Sequence, residues 1–182
     1  MEESTYCYIA LIRGINVGGH KKVPMAELRE LLTKSGLENV KTYIQSGNVI
    51  FQSKIQSKAE LERLIKDDIL NHFGFDVSVL VKTRQELKTI FDDCPFSKEK
   101  KINSYFALLS EIPEKSLVEE ASQKVYENEE YTILKNCIYF YSEKGYGNAK
   151  FSLNFFERKL KVNATARNYK TMVKLLSLST EP

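Results

Sequence analysis

The chain has 182 residues, 42% hydrophobic and 28% charged, and its 27 basic and 24 acidic side chains leave a net charge of +3. That length supports a core without staples, since a fold of this size buries roughly 70% of the surface its unfolded chain exposes. The charge is too balanced to mark a polyanionic partner, and no apolar run approaches the roughly 18 residues of a membrane span.

The three cysteines, Cys7, Cys94 and Cys137, stand far apart without metal or redox spacing. Neither histidine, His20 nor His72, is near a cysteine cluster, so no metal site and no cofactor are expected. The opening Met1-Glu2-Glu3-Ser4 is acidic where a signal or transit peptide is basic. Cytoplasmic residence is the default expectation.

In chain order, Tyr6 to Ile12 reads as a central strand. A helix follows, with Pro24 in its first turn, Met25, Leu28, Leu31 and Leu32 at helical spacing and Gly36 at the exit. Val40 to Gln45 and Val49 to Ser53 form a hairpin around Ser46-Gly47-Asn48. Ser57 and Glu60 open a second helix that Gly74 closes, and Val77, Val79 and Val81 alternate as a strand. Thr83 and Glu86 then cap a short helix that Pro95 ends.

The order restarts with a strand at Ser104 to Ser110 and a helix capped by Ser116 and Glu119. Tyr131 to Leu134 and Cys137 to Tyr141 make a second hairpin around Lys135-Asn136, and Phe151, Phe155, Phe156 and Leu160 mark another helix. The segments Tyr8 to Ile12 and Tyr105 to Leu109 share local wording, as do Tyr43 to Ser53 and Tyr131 to Ser142. Similar letters in the same order indicate a duplication. The expected fold is therefore α+β, two ferredoxin-like βαββα(β) halves with antiparallel sheets and an extra C-terminal helix. The first half covers 1–82, a connecting helix and linker 83–103, and the second half with the last helix 104–182. In that helix Tyr169, Met172, Val173 and Leu176 share one stripe.

Candidate chemistry concentrates after the first strand. Gly14, Gly18 and Gly19 free backbone amides to converge, and Arg13, His20, Lys21 and Lys22 bring positive charge to a helix N-terminus. The spacing is neither a Walker loop nor a dinucleotide fingerprint. Asn16 lies inside this loop, and Gln45, Ser46 and Asn48 present polar groups at the hairpin turn. Turn geometry alone accounts for Gly47 and Asn48 through left-handed backbone. Arg167 sits before the last helix as a possible clamp for carboxylate or phosphate, with Asn168 as that helix's N-cap. Adjacent Asp67-Asp68 and Asp92-Asp93 point about 100° apart on helices, and no catalytic set emerges.

The strings Arg13-Gly14-Ile15-Asn16-Val17-Gly18-Gly19, Lys22-Val23-Pro24-Met25 and Thr42 through Val49 resemble the bacterial family known as Domain of Unknown Function 1697. Ala164 through Asn168 and Thr171 resemble its C-terminal signature. Tyr169 stands where that family usually has Trp, and Lys161 and Asn163 replace its Gly and Pro. The resemblance implies an α+β fold with ferredoxin-like elements and no activity.

The leading expectation is binding of a small phosphate- or carboxylate-bearing ligand by Arg13, Gly14, Asn16, Gly18, Gly19, Lys22, Gln45, Ser46, Asn48, Arg167 and Asn168, with enzymatic action left open. Two alternatives stand beside it. One is nucleic-acid binding, since the ferredoxin-like order is shared with RNA-recognition modules. The other is a non-catalytic interaction module using an open sheet edge or face. The charge distribution bears on both: one acid faces six basic residues from Glu157 to Lys174, and seven glutamates face Lys115 and Lys124 from Glu111 to Glu130.

Overall fold

The apolar run after the N-terminus becomes β1 (Tyr6–Ile12), followed by α1 (Met25–Lys34), β2 (Glu38–Tyr43), β3 (Asn48–Ser53), α2 (Lys58–Phe73) and β4 (Val79–Thr83). The structure, a computed structural model, describes residues 4–180. These strands form an antiparallel sheet of order β2-β3-β1-β4. Tyr8, Ala10 and Ile12 on β1, with Val49, Phe51 and Val81, share a core with Leu28 and Leu32 of α1 and Leu61, Ile65 and Ile69 of α2. Each such side chain contributes about 1.5–3 kcal/mol by leaving water. Alternation sends Ile9 and Leu11 to the other face of β1, where both are fully buried as well. The unbroken apolar reading of this strand follows from burial on both faces.

After α3 (Arg84–Asp92) and α4 (Lys98–Ile102), the order repeats. It runs β5 (Tyr105–Leu109), α5 (Lys115–Ala121), β6 (Glu129–Leu134), β7 (Cys137–Ser142), α6 (Leu153–Leu160), β8 (Ala164–Asn168) and α7 (Tyr169–Leu178). The second sheet has the order β6-β7-β5-β8, strand for strand that of the first. Its core is aromatic: Phe151 stacks on Phe140 at 4.2 Å and on Phe156 at 4.9 Å between ring centres. Buried Tyr139 donates its hydroxyl to the Ile90 carbonyl at 2.7 Å, and burial pushes its pKa well up.

Two units result. One comprises the residues to Leu87 together with those from Leu175, and the other runs from Lys88 to Lys174. Both α3 and α7 therefore start in one unit and finish in the other.

Several local expectations need correction. Ala164–Asn168 is a strand paired along β5, from Leu109 opposite Ala164 to Tyr105 opposite Asn168. Arg167 thus stands ahead of the last helix, as expected, but within a strand that the sequence reading did not anticipate. The α5 helix begins after Glu114, so Ser116 and Glu119 lie inside it and do not cap it. Ser97 caps α4, a helix the sequence pattern did not announce. In α7 it is Met172 and Leu175 that are fully buried, while Val173 is 41% exposed. Lys161 ends α6 in the left-handed region at φ 57°, the conformation a glycine there would take more readily.

Other signals hold. The Ser57 hydroxyl accepts from the Glu60 amide. The capping box of α3 is reciprocal, Thr83 Oγ1 accepting from the Glu86 amide and Glu86 Oε2 from the Thr83 amide at 2.8 Å.

Candidate functional site

The loop leaving β1 and the turn between β2 and β3 meet at one end of the first sheet. Ile12 donates its amide to the Gly47 carbonyl at 2.8 Å, and the next amide, of Arg13, reaches the Ser78 carbonyl at 2.9 Å. Asn16 completes the join. Its Nδ2 donates to the carbonyls of Val23 at 3.0 Å and Gln45 at 2.8 Å, while its Oδ1 accepts from the Val23 amide at 2.9 Å. One side-chain amide therefore closes the segment from Asn16 to Val23 and ties it to the hairpin. This occupies Asn16, which acts as a brace for the loop.

The glycines divide into two kinds. A Cβ at Gly47 would lie 2.7 Å from the Ile12 carbonyl oxygen, and its φ is +81°, so close packing and backbone both demand glycine. Gly14 and Gly19 are also left-handed, but a Cβ there would meet nothing within 4 Å. Both therefore border open space where a side chain would stand. His20 and Lys22 are exposed, Arg13 is half-buried, and Lys21 is drawn to the Asp76 carbonyl at 2.6 Å, over the Phe75 ring.

Asn48 differs from its expected role. It is not left-handed; it opens β3, fully buried, and its Nδ2 donates to the Tyr43 carbonyl at 3.0 Å and the Ser46 hydroxyl at 2.9 Å. The left-handed turn residue before Gly47 is Ile44, at φ 49°. A β-branched residue there is a backbone outlier of the kind that clusters at functional segments. Ile44 is 51% exposed and Val17, within the glycine-rich loop, 65%. Sequence reasoning passed over both, because each looks like an ordinary apolar residue until its backbone angle and exposure are known.

Arg167 and Asn168 lie in the second unit. Arg167 is buried, and its Nη1 donates to Thr165 Oγ1 and to the Ala166 carbonyl, both at 2.9 Å. Burial lowers its pKa to about 10, which leaves it cationic at neutral pH. Asn168 Oδ1 accepts from the Thr171 amide at 2.9 Å, the N-cap role expected of it. A cavity of about 460 Å³ opens nearby, lined by Tyr105, Tyr141, Ser142, Glu143, Asn168 and Tyr169 among others. Its walls come from three separate segments, so no sequence motif announces it. Among the described residues no cluster of three or more His, Cys, Asp or Glu could hold a metal ion, and no helix is long and apolar enough to cross a membrane.

Two βαββαβ halves in tandem, with a braced glycine-rich loop on the first, define an α+β class of duplicated proteins. Residues 6–139 match the family model described as "Protein of unknown function (DUF1697)", and the chain belongs to that family. It is similar over its whole length to a solved structure, the conserved bacterial protein SP0830 from Streptococcus pneumoniae. The two are 29% identical with a TM-score of 0.78, across 98% of this chain and 100% of the other. No curated protein matches.

Proposed function

We propose that this protein binds a small anionic ligand, phosphate- or carboxylate-bearing, at the glycine-rich loop of its first unit. The supporting observation is the triple bonding of Asn16, which holds the loop and hairpin turn in one arrangement. A preorganised loop loses little entropy when a ligand arrives. Arg13 and Lys22 supply the charge, and the amides around Gly14, Gly18 and Gly19 the hydrogen-bond donors. Gln45 and Ser46 form a polar rim, with Asn16 and Asn48 as positioning residues. The α1 N-terminus adds only about 0.3–1 kcal/mol per ligand charge, so the two cations carry most of the affinity. Arg167 and Asn168 serve the framework of the second unit and take no part in this reading.

The nucleic-acid alternative has less support. RNA-recognition modules stack bases on aromatic side chains of an open sheet face, whereas Val49, Ile50 and Phe51 of β3 are all buried.

Thermal unfolding in inorganic phosphate, pyrophosphate and citrate, against sodium chloride of matched ionic strength, tests the proposal. A ligand at 100 times its Kd stabilises by about 2.7 kcal/mol. One of these anions should raise the midpoint in the wild type, and Arg13→Ala and Lys22→Ala should cut the response. A response absent throughout, or unchanged in both variants, rejects the site.

A further inference from the structure

The cavity of the second unit has its origin in strand register. Tyr105 opens β5 opposite Phe140 of β7 on one side and Asn168 of β8 on the other. β7 runs on for two residues, Tyr141 and Ser142, which pair with Glu130 and Glu129 of β6 and with nothing on β5. The sheet is stepped where the chain enters β5 through Asn103 and Ser104, and the cavity of about 460 Å³ lies at that step. Small-molecule pockets run to roughly 300–1,000 Å³, so the space suits a small ligand.

Its two ends differ in charge. At the β7 end stands Glu143, whose carboxylate forms no ion pair or hydrogen bond among the described residues. Lys100, within electrostatic reach of it, is already paired with Glu130. Ser142 beside it is 7% exposed, and its hydroxyl bonds nothing among the described residues. A polar group buried to this degree is completed by water or by a ligand. At the β8 end α7 begins. The Tyr169 amide donates to the Ser104 carbonyl at 3.1 Å and the Thr171 amide to Asn168 Oδ1 at 2.9 Å. The Lys170 amide between them belongs to the first turn, where the helix offers no acceptor. The Lys170 ammonium has no carboxylate partner among the described residues, and Asn168 keeps Nδ2 as a donor. Between the ends stand the rings of Tyr105, Tyr141 and Tyr169. They pack in turn on Tyr146 at 4.4 Å, Phe96 at 6.5 Å and Phe91 at 5.4 Å between ring centres. Rings held this way lose little freedom when a ligand arrives.

The ligand class follows from these groups. A simple anion at Lys170 leaves Glu143 unanswered, and a simple cation at Glu143 leaves the α7 N-terminus unanswered. We propose that this cavity binds a small zwitterion, with an ammonium at one end and a carboxylate at the other. The Glu143 carboxylate and Ser142 hydroxyl accept from the ammonium, and the tyrosine faces attract the same cation. The Lys170 amide and ammonium, with Asn168 Nδ2, donate to the ligand carboxylate, which the helix N-terminus also favours. From β7 to β8 is two strand spacings, about 9–10 Å. An α-amino acid carries its charges too close together to meet both ends, whereas an amine and a carboxylate separated by several chain atoms reach them. This site is independent of the glycine-rich loop.

The test titrates the whole chain, 15N-labelled, with 6-aminohexanoate, and with hexanoate, hexylamine and glycine as controls. The zwitterionic probe should shift the amides of Ser142, Glu143, Asn168 and Lys170, and each control should bind at least fivefold more weakly. Glu143→Gln should erase the preference over hexanoate, and Lys170→Gln the preference over hexylamine. Both positions are exposed, so neither change disturbs the fold. Ser142→Ala should weaken the probe several-fold, and Arg13→Ala in the first unit should leave its affinity unchanged. Hexanoate or hexylamine binding as tightly as 6-aminohexanoate, shifts confined to other residues, or no saturable shift at tens of millimolar would overturn the proposal. So would preferences that survive in both the Glu143 and the Lys170 variants.

Discussion

Gly47 and Asn16 show how single residues hold the candidate site. Substituting Gly47 by Ala forces an L-residue to φ +81° and drives a methyl to 2.7 Å from the Ile12 carbonyl oxygen. The left-handed backbone costs about 1–2 kcal/mol, and displacing β1 raises the total to roughly 2–4 kcal/mol. Gly19→Ala meets no neighbour and should cost only about 1 kcal/mol. Urea unfolding of the two variants should separate these values. Asn16→Asp should destabilise more than Asn16→Ala, although Asp is closer in shape. It keeps the acceptor for the Val23 amide but turns a carboxylate oxygen toward the Val23 and Gln45 carbonyls, where the amide donated. Equal midpoints for these two variants would mean the brace is not formed as described.

Between elements, the start of α3 is pinned to α2 by the Lys58–Glu86 ion pair. Burial acts to raise the Glu86 pKa, but the Lys58 ammonium and the Thr83 amide outweigh it, so the carboxyl titrates below its ordinary range. A depressed carboxyl stabilises the fold above its unfolded pKa of about 4.3, and that contribution fades as pH falls through the lower, folded value. Glu86→Gln should therefore be less stable than wild type at pH 7, with the difference narrowing in acid. A gap that stayed constant from pH 7 to pH 3 would contradict the assignment. On the edge strands β4 and β8, the amides of Val81 and Ala164 donate to Glu62 Oε1 and Glu157 Oε1, both at 2.8 Å; Glu62→Ala with Glu157→Ala should promote association, seen by light scattering, whereas the Gln pair retains an acceptor and should not.

Much of this element-level order is legible in the sequence. Capping boxes, glycine exits and strand alternation act over a few residues, and the repeated order follows from them. β8 escapes such reading because the apolar positions of Ala164-Thr165-Ala166-Arg167-Asn168 are only alanines, too small to mark a buried strand. Thr165 and Arg167 are buried with the Arg167 guanidinium donating to Thr165, a pairing visible only once the backbone is extended. The candidate site divides in the same way. Glycines and cations mark the loop, but the partners of Asn16 lie 7 and 29 residues away, and no local pattern encodes them.

For the whole molecule, the consequential feature is the return of residues 175–180 to the first unit. There Arg84 Nε donates to the Leu176 carbonyl at 3.2 Å, the Cys7 thiol to the Ser179 carbonyl at 3.7 Å, and Leu178 borders a small hollow with Cys7 and Ile50. Leu175 is fully buried, and Leu175→Ala should cost about 2–5 kcal/mol by leaving a cavity. Ending the chain at residue 174 should remove hydrogen-exchange protection from β1 and the start of α3 before it affects β5 and β7. Uniform loss across both sheets would show that the two units do not open separately.

A ribosome that has translated as far as Leu87 has delivered all four strands of the first sheet but not the segment that finishes the unit. At about 5–20 residues per second the nascent chain waits roughly 4–17 s for it. During that interval the apolar side chains reserved for the late segment are open to chaperones, and synonymous codons that slow translation between the two points would lengthen that exposure.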